Sequence, residues 1–139
     1  FASAGATYLT FHIETTAAPG DLIQKIRQLG LRPGVTLKPA TQLTAVEPFL
    51  GSVDLVLIMT VNPGFSGQSY MMEQAQKITE VRRLLEQRKS AALIEVDGGI
   101  NAETAHLCWD ADVFVAGNYI FKNDYRSAIR SLKNAGVKP

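Results

Sequence analysis

Apolar residues fall in short unbroken runs, and between the runs they recur every three to four positions. Runs at 8–13, 34–37, 55–61, 93–96 and 113–116, most of them bounded by Gly, Pro, Asp or Asn, predict five strands. Most are nearly continuous in apolar character, as strands covered on both faces are. Leu22, Ile23, Ile26 and Leu29 share one helical face, with Gly30 as the stop. Met72, Ala75, Ile78, Val81 and Leu85 do the same over a longer helix whose other side carries Glu73, Lys77, Glu80 and Arg83. A shorter helix is predicted over 43–50. Asn101 is placed to cap a helix over 102–109, and an amphipathic helix over 125–135 ends at Gly136. Residues 2–6 read as the tail of a helix entering the first strand, so the segment is expected to begin inside a domain. The alternation implies βα units on a parallel sheet. Five such units fit part of a (β/α)8 barrel, whose complete form needs roughly 250 residues, and they equally fit a small doubly wound sheet.

Composition narrows the class. The chain has 139 residues, 46% of them hydrophobic, enough for one globular core. A formal net charge of +1 gives no electrostatic reason to expect nucleic acid or an acidic membrane as partner. The single cysteine, Cys108, cannot close an internal disulfide, so a reducing cytoplasm is the expected compartment. No apolar run reaches membrane-spanning length.

Three motifs follow strand ends. IEVDGGIN, at 94–101, ends an apolar strand in a carboxylate and two glycines and then opens a helix, which sets Asp97 beside backbone amides able to seat an anion. NPGFSGQ, at 62–68, flanks an aromatic with glycines, a composition that lets a loop fold tightly over a ligand. VAGN, at 115–118, again sets a glycine at a strand end, and two such loops in sequence converge on one anion in barrels. Taken singly, each has an ordinary reading: Asp97 as a turn cap, the loop at 62–68 as a simple connection.

These three motifs, in this order and spacing, resemble the C-terminal part of ribulose-phosphate 3-epimerases. Phe11-His12-Ile13-Glu14 and Leu37-Lys38-Pro39 resemble the same family. The resemblance spans essentially the whole chain, so residues 1–139 are expected to form one partial domain. It implies an α/β fold, a (β/α)8 TIM barrel incomplete here, with strands 4 to 8 present and the first three absent. The implied enzyme is an isomerase that interconverts D-ribulose 5-phosphate and D-xylulose 5-phosphate by moving the C3 proton. In the family two aspartates act from opposite faces, and a divalent metal, usually zinc, with iron, manganese or cobalt as alternatives, polarises the substrate oxygens. Matched residue by residue, Asp97 stands as metal ligand and proton-transfer group. Gly64, Phe65, Ser66 and Gly67 match the loop that closes over the substrate. Gly98, Gly99, Gly117 and Asn118 match the phosphate seat, and Met59 matches a pocket-lining methionine. Two positions depart from the pattern: Ser66 where many members have glycine, and Asn118 where serine is common. The family's His-x-Asp pair, with its second acid, and its further serine and histidine have no counterpart, so the segment alone is expected to be inactive.

The remaining candidates read as structural. His12 and Glu95 are expected as interior polar groups, with Glu95 on the same strand face as Asp97 and helping to orient it. His106 falls in a helix. Lys38, Met71, Met72, Cys108 and Trp109 are read as support or packing. The expected partner is a small sugar phosphate, with homo-oligomers implied by the resemblance. Alternatives are an epimerase for allulose 6-phosphate, or a non-catalytic fragment that binds a phosphosugar or assembles through its open sheet edges.

Overall fold

Alternating faces decide how the strands sit. A computed structural model describes residues 1–65 and 67–136. It contains β1 (Tyr8–His12), β2 (Arg32–Leu37), β3 (Leu55–Met59), β4 (Leu93–Asp97) and β5 (Val113–Val115), all parallel and each hydrogen-bonded to its predecessor in the order β1-β2-β3-β4-β5. A doubly wound sheet reverses its winding at a switch point and covers both faces with helices. Here the winding never reverses. Val35, Leu37, Val56, Ile58, Ile94 and Val96 point to one face and form a single core with Ile23, Ile78, Val81, Leu85 and Leu132 of the helices. That is the geometry of a barrel wall.

The register lays out the other face in rows. His12, Thr36, Leu57, Glu95 and Val113 form one row, and Met59, Asp97 and Val115 form the next towards the strands' C-terminal ends.

Four helices support the sheet: α1 (Pro19–Gln28), α2 (Gln74–Gln87), α3 (Gly117–Phe121) and α4 (Tyr125–Ala135). Pro19 opens α1, where its missing N–H costs nothing, and Asp124 caps α4 by accepting the Ser127 N–H at 3.0 Å.

Several expectations need correction. The helix predicted over 43–50 is two 3-10 turns, Leu43–Ala45 and Glu47–Phe49, because Pro48 cannot donate to a continuous helical ladder. The helix predicted over 102–109 is a turn followed by the 3-10 segment Ala105–Cys108. Asn101 still caps it, its Oδ1 accepting from the N–H groups of Glu103 and Thr104, but the Thr104 hydroxyl donates to the Gly99 carbonyl and ties the first turn to the loop. Residues 2–6 hold only the 3-10 turn Ala2–Ala4. The third strand stops at Met59, since Thr60 turns its hydroxyl to the Gly98 carbonyl. Leu29 is 56% exposed, off the buried face of α1. Met72 is 60% exposed rather than seated in the core, and Trp109 also faces solvent.

Candidate functional site

The C-terminal ends of β3, β4 and β5 open on one cavity of about 920 Å3. Asp97, the last residue of β4, and Met59, its register partner on β3, stand in its wall. Gly98 and Gly99 follow directly. Both have positive φ, +125° and +65°, and both are crossed closely by other backbone. A Cβ on Gly98 would come within 2.8 Å of the Val61 nitrogen, and one on Gly99 within 2.5 Å of the Tyr70 nitrogen. The double glycine therefore lets the chain after β4 pass under the chain after β3. Thr60 fastens this crossing, its N–H donating to the Asp97 carbonyl at 2.8 Å.

The loop at 62–68 folds over the same cavity. The Gln68 side-chain amide donates to the carbonyls of Asn62 (2.7 Å) and Phe65 (2.9 Å), and the Phe65 ring is exposed. Gly64, Phe65 and Gly67 line the cavity; Ser66 lies outside the described residues. Gly67 sits against Asn118, which with Gly117 opens α3 on the opposite wall. The structure thus brings Asp97, Met59, the two glycine pairs and the loop to one space.

The carboxyl of Asp97 is shifted in the opposite direction from that of a capping aspartate. Burial pushes its carboxyl above the ordinary range, with no hydrogen bond pulling the other way. Asp124, a true cap, is held below that range by its bond to Ser127. Glu95 shares Asp97's face, as strand alternation requires, and is pushed up first by burial and then by the charge of Asp97. The charge of Asp97 thus acts on Glu95 by repulsion.

Elsewhere the polar residues serve structure. Glu14 accepts the Lys38 N–H at 2.9 Å and the Thr41 hydroxyl; burial alone would raise its pKa, but these bonds outweigh it and the value is lowered. His12 Nδ1 lies 3.4 Å from Glu14, and neither His12 nor His106 lines the cavity. Cys108 is buried, which pushes its thiol up, and its Sγ contacts the Tyr70 hydroxyl at 3.3 Å, anchoring the segment that passes Gly99.

Lys122 was not singled out by the sequence reading. Among the described residues it and Asp97 are the only charged groups lining the cavity. The one signal available was its spacing, five residues beyond Gly117 at the end of a one-turn helix.

No grouping of three or more His, Cys, Asp or Glu able to hold a metal ion exists among the described residues. Asp97 and Glu95 offer carboxylate oxygens only, short of the four ligands that zinc takes. The described residues therefore do not by themselves complete a divalent-metal site. Among the described residues no helix is long and apolar enough to cross a membrane.

Comparisons with known proteins bear on the family and the fold of this chain. Ribulose-phosphate 3-epimerases from Methanocaldococcus jannaschii, Bacillus subtilis and Escherichia coli are 43%, 40% and 36% identical to it over 134, 139 and 141 residues. These matches cover 94%, 97% and 99% of the chain but only 57%, 64% and 63% of the relatives, so the chain spans about three fifths of their length. The crystal structure of 3-hexulose-6-phosphate synthase from Salmonella typhimurium superposes with a TM-score of 0.67 at 21% identity, covering 96% of this chain and 63% of that one, which supports the fold. The profile of the ribulose-phosphate 3 epimerase family matches residues 1–121, and the chain belongs to that family.

Proposed function

We propose that this chain carries the phosphate seat, the closing loop and one of two proton-transfer acids of an epimerase that interconverts D-ribulose 5-phosphate and D-xylulose 5-phosphate. The observation that carries this reading is the shared cavity. One carboxyl with an elevated pKa faces the same space as two glycine-bearing loops and a lone lysine.

The substrate's phosphate sits between the amides of Gly98 and Gly99 and the first amides of α3 at Gly117 and Asn118, with Lys122 supplying the positive charge. Those first helical amides have no partners within their own helix. Asp97 faces the sugar carbons and exchanges the C3 proton. Its raised pKa makes it a stronger base than an exposed carboxylate, which is the direction proton abstraction at neutral pH requires. Phe65 and its loop cover the sugar and exclude water. The second acid, and the other ligands of a divalent metal that Asp97 would help to hold, belong in this reading to parts of the complete barrel with no counterpart here; when bound, such a metal would supply Lewis-acid polarisation of the substrate oxygens.

The test is a titration of the 139-residue chain with D-ribulose 5-phosphate, followed residue by residue by NMR. Amide signals of Gly98, Gly99, Gly117 and Asn118 are expected to move together. Lys122→Gln is expected to weaken binding by roughly threefold to tenfold, more at low salt than at high salt, with no effect on unphosphorylated ribulose. Shifts confined to other residues would contradict the reading.

A chimera in which this chain replaces the matched portion of the Methanocaldococcus jannaschii relative is expected to interconvert the two pentulose phosphates, while the chain alone does not. Turnover by the chain alone, measured by coupled assay, would show that the division of labour is wrong.

A further inference from the structure

A second cavity, of about 430 Å3, opens at the opposite end of the sheet, where the strands begin. Tyr8 opens β1, Arg32 opens β2 and Leu93 opens β4, so this space is separated from Asp97 by the length of the strands. Its walls carry three cations, Arg27, Arg32 and Lys89, against one acid, Asp54.

The two arginines are held in place. Arg32 Nη1 donates to the Tyr8 hydroxyl at 2.7 Å, and its guanidinium lies 5.4 Å from the centre of the Tyr8 ring. Arg27 Nη2 donates to the Ser52 carbonyl at 2.9 Å and lies 3.0 Å from Asp54 Oδ2, an ion pair whose angles do not make a hydrogen bond. Fixed cations lose less conformational freedom when an anion binds.

Lys89 carries a second, independent observation. Among the described residues it is the only one other than glycine with positive φ, at +51°. It stands just past the C-terminal end of α2, where Ser90 N–H returns to the Leu85 carbonyl at 2.9 Å. This left-handed position is the one glycine fills most cheaply, and Gly30, φ +76°, fills its equivalent after α1. A lysine there is held against its conformational preference, and it is one of the residues that line the cationic cavity.

We propose that Arg27, Arg32 and Lys89 form a second anion site, which takes a small phosphate-bearing molecule at the strands' N-terminal ends. Its volume lies within the range of small-ligand pockets. Arg32 and Lys89 supply the charge, because Arg27 is partly neutralised by Asp54.

Lys89→Gly separates this role from folding, since it relieves the left-handed strain while removing the charge. The variant is expected to melt roughly 3 °C higher than wild type. Inorganic phosphate is titrated at constant ionic strength and followed by NMR at the amides of Arg32, Lys89 and Ser90. The wild type is expected to show saturable shifts there. Lys89→Gly and, in a separate chain, Arg32→Gln are each expected to weaken them by roughly threefold to fivefold. Signals of Gly98, Gly99 and Gly117 report the other cavity in the same titration and should be unaffected by either substitution. Shifts of equal size and affinity in wild type and both variants, or no saturable shift at this end, would overturn the proposal.

Discussion

Gly98→Ala is expected to destabilise the fold by roughly 3–5 kcal/mol. Two costs add. The backbone at φ +125° lies where an L side chain is strained, and the new Cβ would meet Val61 at 2.5 Å from Cγ2 and 2.8 Å from N. The backbone nitrogen cannot rotate away, so the strand end after β3 must shift. Gly99→Ala should behave alike, because its Cβ would meet the Tyr70 nitrogen at 2.5 Å. Denaturant melts should show a loss of this size for both. Gly51→Ala is the control: nothing lies within 4 Å of its Cβ, and a change within about 0.5 kcal/mol is expected. Near-neutral behaviour of Gly98→Ala would mean that the two loops do not cross as described.

Asp97→Asn is expected to stabilise the fold at neutral pH and to abolish the chemistry. Burial raises the carboxyl's pKa in the folded state, so the native chain binds the proton more tightly than the unfolded chain. Its contribution is most favourable below the unfolded value and is lost as pH rises through the folded value. At pH 7 the ionised, half-buried group is therefore a net cost. The amide removes that cost, and Tm should rise by roughly 2 °C at pH 7, with the gap closing near pH 3. In the chimera the same substitution should lower epimerisation by about 10²–10⁴-fold, the usual worth of a positioned proton-transfer group. Opposite signs on stability and rate distinguish a lost proton carrier from a damaged fold. A scan of Tm against pH for both proteins checks the first half.

Legibility in the sequence followed how local the determining physics is. The five strands were readable because their apolar runs carry the outward core positions Val35, Val56, Ile58, Ile94 and Val96. The choice between barrel wall and doubly wound sheet was not readable from periodicity, because winding order depends on which strands pair. The helix over 43–50 failed on Pro48, a local signal outweighed by the apolar spacing around it. The helix over 102–109 failed on a side-chain competitor that apolar spacing does not register, the hydroxyl of Thr104 reaching back five residues to the Gly99 carbonyl. In the candidate site, Asp97 and the glycine pairs stood out because three strand-end motifs resemble those of one family in both order and spacing. Lys122 did not, since a lysine after a one-turn helix looks like any exposed lysine until the cavity shows that it shares a wall with Asp97. Likewise Lys89 reads as an ordinary helix-terminal cation, and only its left-handed backbone sets it apart.

The most direct measurement is the transfer of solvent deuterium to C3 of D-ribulose 5-phosphate by the chimera, with and without Asp97→Asn. The account predicts exchange at C3 with the native aspartate, and a fall of at least about 10²-fold in the variant while the sugar phosphate still binds. Exchange at an undiminished rate in Asp97→Asn would contradict it.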